Sequence, residues 1–197
     1  MPRLRVAPTL AQLAVPFLLS LLRGEAGKRE KLSSREYPIT VHPFQTTAQM
    51  VHAGNYAYTN LNSGEISDSM SMLSEFFPVS SHDAASVVIK LIPIASSGLP
   101  QILREIQARD MRPATAAELL AFGSKYPEVQ RFLTVVALGS RYRFGPATQN
   151  EYFLCLEGML PMYGDYRGLV VDYWNGRTFG DGFQEKDNVR LAVVAAH

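Results

Sequence analysis

A chain of 197 residues, 47% apolar and 19% charged, is long enough for one well-filled core and short for two independent ones. Its formal net charge of +1 removes the electrostatic basis for a nucleic-acid or anionic-membrane partner. A single cysteine, Cys155, excludes an intramolecular disulfide and a cysteine-rich zinc site, and a chain without disulfides fits the cytoplasm.

Arg3 and Arg5 precede the apolar stretch Leu10 to Leu22, the charge order of a signal peptide. Pro16 interrupts that stretch and Arg23 follows it directly, and it is shorter than the roughly 18 apolar residues a membrane crossing needs. The expectation is an apolar or amphipathic helix that packs on the domain, on a second copy or on a membrane surface. Gly24 to Arg35 then forms a polar, mostly basic linker, so residues 1–36 are an extension and 37–197 a single domain.

Within that domain Pro38 to His42 alternates as a short strand does. Thr46 or Thr47 caps a short helix through Met50 and Val51, which Gly54 stops. Asn55 to Gly64 is turn chemistry carrying aromatics, and Glu65 to Pro78 reads as a helix ending before the proline or as a loop. Ser86 to Ile94 is a β-branched run, apolar on both faces apart from Lys90, with Pro93 marking an edge or an end. Pro100 opens a helix through Ala108 that carries Ile102, Leu103 and Ile106 at helical spacing. Thr115 and Glu118 form a capping box ahead of Leu119, Leu120 and Phe122, with Gly123 ending the apolar run and Pro127 opening a short turn to Arg131. Four strands follow, at Phe132 to Leu138, Glu151 to Leu156, Gly168 to Trp174 and Asn188 to Ala195. The order predicts an α+β fold: a single domain with a mixed or antiparallel sheet and short helices.

No strong catalytic constellation is present. Neither Ser97 nor Ser140 lies in a G-x-S-x-G elbow, and the glycines at 176, 180 and 182 lack the helix and Lys-Ser/Thr pair of a phosphate loop. His42, His52 and His82 fall on a strand, a helix and a loop. Asp181, Glu185, Asp187 and Asn188 are hard oxygen donors on one loop, but Lys186 sits among them and the EF-hand pattern is absent, so a solvated acidic loop is expected and no metal. Arg141-Tyr142-Arg143-Phe144 reads as a strand with one apolar and one charged face. Cys155 lies in an apolar run and reads as a small core residue.

Two functional readings survive. In the first the protein is a binding module for a protein or a small ligand, with no cofactor. Its aromatic-rich loops supply Tyr56, Tyr58, Tyr163, Tyr166, Trp174 and Phe179 as the contact surface. In the second it is a hydrolase-like enzyme whose His42, His52 and Asp172 assemble from distant segments.

From Tyr37 onward the chain resembles an uncharacterised bacterial family of the candidate-phyla-radiation type. The resemblance rests on Ala53-Gly54-Asn55-Tyr56, on Phe77-Pro78, on the R-P-A-T-x-x-E-L-L-A-F-G-x-K-Y-P-x-x-Q segment from Arg112 to Gln130, and on Val136 to Ser140. It departs at Ala57, where the family has aspartate, and at the C-terminus, where a final basic pair is missing. The resemblance implies no established activity. The C-terminal half is also similar in order to C-type-lectin-like folds. Trp174-Asn175-Gly176 resembles their calcium-binding Trp-Asn-Asp, though its third residue is glycine and the disulfide cysteines are absent.

Overall fold

The computed structural model describes residues 24–61, 66–79, 85–94, 98–143, 150–158, 167–175 and 188–196. In chain order its elements are helix α1 (residues 24–33), β1 (Glu36–Val41), α2 (Thr47–Gly54), α3 (Ile66–Phe76), β2 (Ala85–Pro93), α4 (Leu99–Gln107), β3 (Met111–Pro113), α5 (Ala116–Lys125), a 3-10 turn (Val129–Arg131), β4 (Thr134–Tyr142), β5 (Glu151–Gly158), β6 (Arg167–Trp174) and β7 (Val189–Ala195). The strands form one mixed sheet in the order β1-β2-β7-β4-β5-β6, with β3 paired to β7. The β4–β7 pair is parallel and the other pairs are antiparallel. The fold is therefore α+β, as the element order predicts.

Strand alternation divides the apolar residues between two cores. On one face Ile39, Ile89, Ala192, Val135, Leu154 and Leu169 meet α2, α3 and α5. On the other Leu191, Val136, Phe153 and Cys155 meet Leu99, Ile102 and Ile106 of α4. The second core does not reach β2 in full. Val88 is 40% exposed, so β2, apolar on both faces apart from Lys90, leaves part of its second face open. Pro93 is its last residue, where a missing N–H costs the ladder nothing.

Several local signals act as the sequence says. Thr46 caps α2 and Thr115 caps α5, each closing a capping box with Gln49 or Glu118. Residues 66–76 resolve to a helix. Arg141 and Arg143 both pair with Glu151, while Tyr142 turns inward and stacks on Phe76 with centroids 4.4 Å apart.

Two local expectations are overturned. Residues 24–33, expected as a linker, form a helix: Leu32 packs on the first core, its carbonyl accepts from the Tyr37 hydroxyl at 2.7 Å, and Ser33 Oγ accepts from Arg190 at 2.7 Å. The stop of α2 is Asn55, left-handed at φ 49°, rather than Gly54. Gly123 ends the apolar run within α5, which continues to Lys125, and a Cβ there would sit 2.3 Å from the Tyr56 hydroxyl.

Candidate functional site

The site begins with how the chain protects the β6 edge. An open strand edge leaves N–H and C=O groups unpaired. Here residues 57–60 run alongside it. The Ala57 N–H donates to Arg167 O at 2.8 Å and the Leu169 N–H to Tyr58 O at 3.0 Å. Asn60 then continues the ladder with its side chain: Oδ1 accepts from the Val171 N–H at 2.8 Å and Nδ2 donates to Val171 O at 2.7 Å. Arg167 holds the start of this segment, donating to Gly123 O at 3.3 Å, Asn55 O at 3.1 Å and Gly54 O. Those carbonyls lie in the last turn of α5 and at the end of α2, where a cation suits the helix dipole.

This edging places Tyr58 on Gly168, whose missing side chain leaves room for the ring: a Cβ would lie 2.2 Å from it. Register does the rest. Cys155 opposes Val170, Glu157 opposes Gly168 and Asp172 opposes Phe153, so Cys155, Glu157 and Asp172 face the same side of the sheet. A cavity of about 350 Å³ opens there, lined among others by Tyr58, Asn60, Thr134, Glu157, Asp172 and Tyr173. No Lys, Arg or His is among the described residues that line it.

Among the described residues, the charged groups lining this cavity are acidic. Burial pushes the Glu157 carboxyl above its ordinary range and the charge of Asp172 adds to the push, while a hydrogen bond from Tyr58 offsets part of it. Burial and the Glu157 carboxylate likewise raise the Tyr58 hydroxyl, so its proton stays on to donate. Asp172 Oδ1 accepts from the Tyr173 N–H at 2.7 Å. The Cys155 thiol is buried and pushed well above its usual value by burial first and the two carboxylates second, which makes it a packing group rather than a nucleophile.

The residues expected from sequence fare unequally. Tyr58 lines the cavity. Tyr56 does not reach a surface: it is 7% exposed and wedged between Gly54 and Gly123, because the turn at Asn55 directs its ring into the core. Trp174 is half-buried against the second core, with its Nε1 enclosed. Tyr163, Tyr166 and Phe179 lie outside the described residues, as do His82, Asp181, Glu185 and Asp187. Asp172 and His42 line different cavities, and His52 is exposed on α2. Among the described residues no group of three or more His, Cys, Asp or Glu could hold a metal ion. No described helix is long and apolar enough to cross a membrane.

Sequence reasoning missed Glu157 and Asn60. The one signal for Glu157 is its place two residues beyond Cys155 on the same strand face. Nothing in the chain announces that Asn60 replaces a backbone amide.

The motif residues that carry the family resemblance have structural work in this fold. Arg112 forks onto Glu118 at 2.9 and 2.6 Å, Ser140 Oγ accepts from the Ala116 N–H at 3.0 Å, Lys125 and Tyr126 donate to Pro38 O, and Gln130 donates to Gly168 O. No protein-family model, curated protein or solved structure matches this chain.

Proposed function

We propose that the protein is a small-ligand binding module whose site is the cavity between residues 57–60 and strands β5 and β6, and that its ligand is an amine cation. The supporting observation is the convergence of Glu157, Asp172 and Tyr58 on one cavity with no basic residue among its described lining. Glu157 is held above its ordinary range first by burial and then by Asp172, and a ligand ammonium would offset both. Tyr58 offers a ring face to the same charge. In this proposal the protein is cytoplasmic, consistent with one buried free thiol, and belongs to the bacterial family whose motifs it resembles.

Titration calorimetry of the whole chain tests the reading, with cadaverine, its neutral diol and its dicarboxylate analogue as probes. The expected result is heat with cadaverine alone, weakened about tenfold in Glu157→Gln and in Asp172→Asn. Binding that ignores the probe's charge, or survives both substitutions, sinks it. Because Glu157 must lose its proton to pair with the ammonium, affinity should rise with pH through the Glu157 titration.

A further inference from the structure

The two acids of the β6 cavity stand at opposite ends of one row of side chains. Three ladder pairs follow one another on the face that the cavity opens to: Glu157 with Gly168, Cys155 with Val170, and Phe153 with Asp172. Glu157 and Asp172 are therefore on different strands, with the Cys155–Val170 pair between them. The Cys155 thiol feels the charge of both carboxyls, as its place between them requires. Gly168, opposite Glu157, leaves that end of the row open to the Tyr58 ring.

The wall between the acids is uncharged. Cys155 is 1% exposed and keeps its proton, Val170 packs on the second core, and both line the cavity with the acids. Each carboxyl already takes part in the fold: Glu157 accepts from the Tyr58 hydroxyl, and the bonds of Asp172 include one from the Tyr173 N–H. An ionised carboxylate has about four lone-pair sites, so such bonds leave acceptor capacity for an ammonium. The spacing sets a length. Four residues of β5 lead from Phe153, the partner of Asp172, to Glu157. They span about 13 Å, and an ammonium–carboxylate contact takes up about 3 Å at each end, which leaves roughly 7 Å between two nitrogens.

We infer that the ligand of this cavity is a linear diamine, with one ammonium at Glu157, the other at Asp172, and about five methylenes lying over Cys155 and Val170. The diamine site rests on the amine reading of the cavity and adds a second charge and a length to it. An acid, an apolar floor and a second acid match an ammonium, a methylene chain and a second ammonium in order. A monoamine meets only one end of the row.

Titration calorimetry of the whole chain with cadaverine, pentylamine and the three-carbon diamine separates the two claims. Cadaverine should bind about tenfold more tightly than pentylamine and than the short diamine, which cannot reach both acids. In Asp172→Asn and in Glu157→Gln the preference for cadaverine over pentylamine should vanish. The parent chain decides the matter without any substitution. Equal binding of cadaverine and pentylamine overturns the diamine and leaves the amine reading standing, because one ammonium then suffices. Equal binding of the long and short diamines, or a cadaverine preference that survives Asp172→Asn, overturns the two-ended placement. No heat with any of the three overturns the amine reading itself, and the diamine with it.

Discussion

Glu118 and Glu157 are the same residue type under the same pressure of burial, and the fold answers them in opposite ways. Around Glu118 burial would raise the carboxyl, but the Arg112 fork, the Thr115 N–H and the Thr115 hydroxyl together hold it below its ordinary range. Around Glu157 burial and the charge of Asp172 raise the carboxyl, and the hydrogen bond from Tyr58 offsets only part of the rise. The first acid is used up by the structure. The second lies on a cavity wall with no basic side chain among its described lining. A buried ionisable group that the fold leaves under-compensated is where a ligand has something to add.

The largest effect should come from breaking the satisfied acid. Glu118→Ala removes both the capping box and the partner of Arg112, and a loss of about 3 kcal/mol is expected by chemical denaturation. Arg112 is 41% exposed at its side chain and can turn to water, which keeps the figure at the lower end of such losses. A loss below about 1 kcal/mol would put Glu118 among ordinary surface ion pairs and break the comparison.

Next comes Gly123→Ala, whose new Cβ meets the Tyr56 hydroxyl and Leu156 inside a filled core. About 2 kcal/mol of overpacking strain is expected. A neutral result would show that Tyr56 can swing away, and would reopen its case as a surface residue.

The pH dependence sharpens the contrast, because the two acids carry opposite signs. Glu118, like Glu151 between Arg141 and Arg143, has a lowered value in the fold. Their contributions are complete above the ordinary carboxyl value of 4.5 and are lost as pH falls through the folded values. Glu157 has a raised value, so its contribution is complete below 4.5 and is lost as pH rises through its folded value. Glu157→Gln should therefore raise the melting temperature at neutral pH, by a smaller margin than Glu118→Ala lowers it, while weakening amine binding. A variant that lost stability as well would mark Glu157 as structural.

The smallest effect belongs to the edging strand. Asn60→Ala deletes two hydrogen bonds at an exposed position and should cost about 1 kcal/mol. Hydrogen exchange should speed up at the Val171 amide in particular. Unchanged exchange there would mean that residues 57–60 do not depend on the Asn60 bridge.

How much of this is legible in the sequence depends on the range of the interaction. The capping boxes at Thr46 and Thr115 are legible because donor and acceptor lie three residues apart. The helical spacing of Ile102 and Ile106 and the alternation of β1 are legible for the same reason. Residues 24–33 mislead because their polarity suggests a solvated connector, whereas the contacts of Leu32 and Ser33 are made with Tyr37 and Arg190. Tyr56 and Tyr58, two residues apart, look equivalent as loop aromatics. Gly54, Gly123 and Gly168 separate them, giving one a slot in the core and the other a seat at the cavity.

The sequence alone determined most elements from Tyr37 onward, the two capping boxes and the α+β class, since periodicity and capping follow from backbone geometry within a turn or two. The tertiary structure decided which glutamate meets an arginine and which meets an aspartate. Strand register across the β5–β6 pair brings Glu157 and Asp172 to one face, and the route of residues 57–60, fixed by bonds between Asn60 and Val171, 111 positions apart, seats Tyr58 beside them.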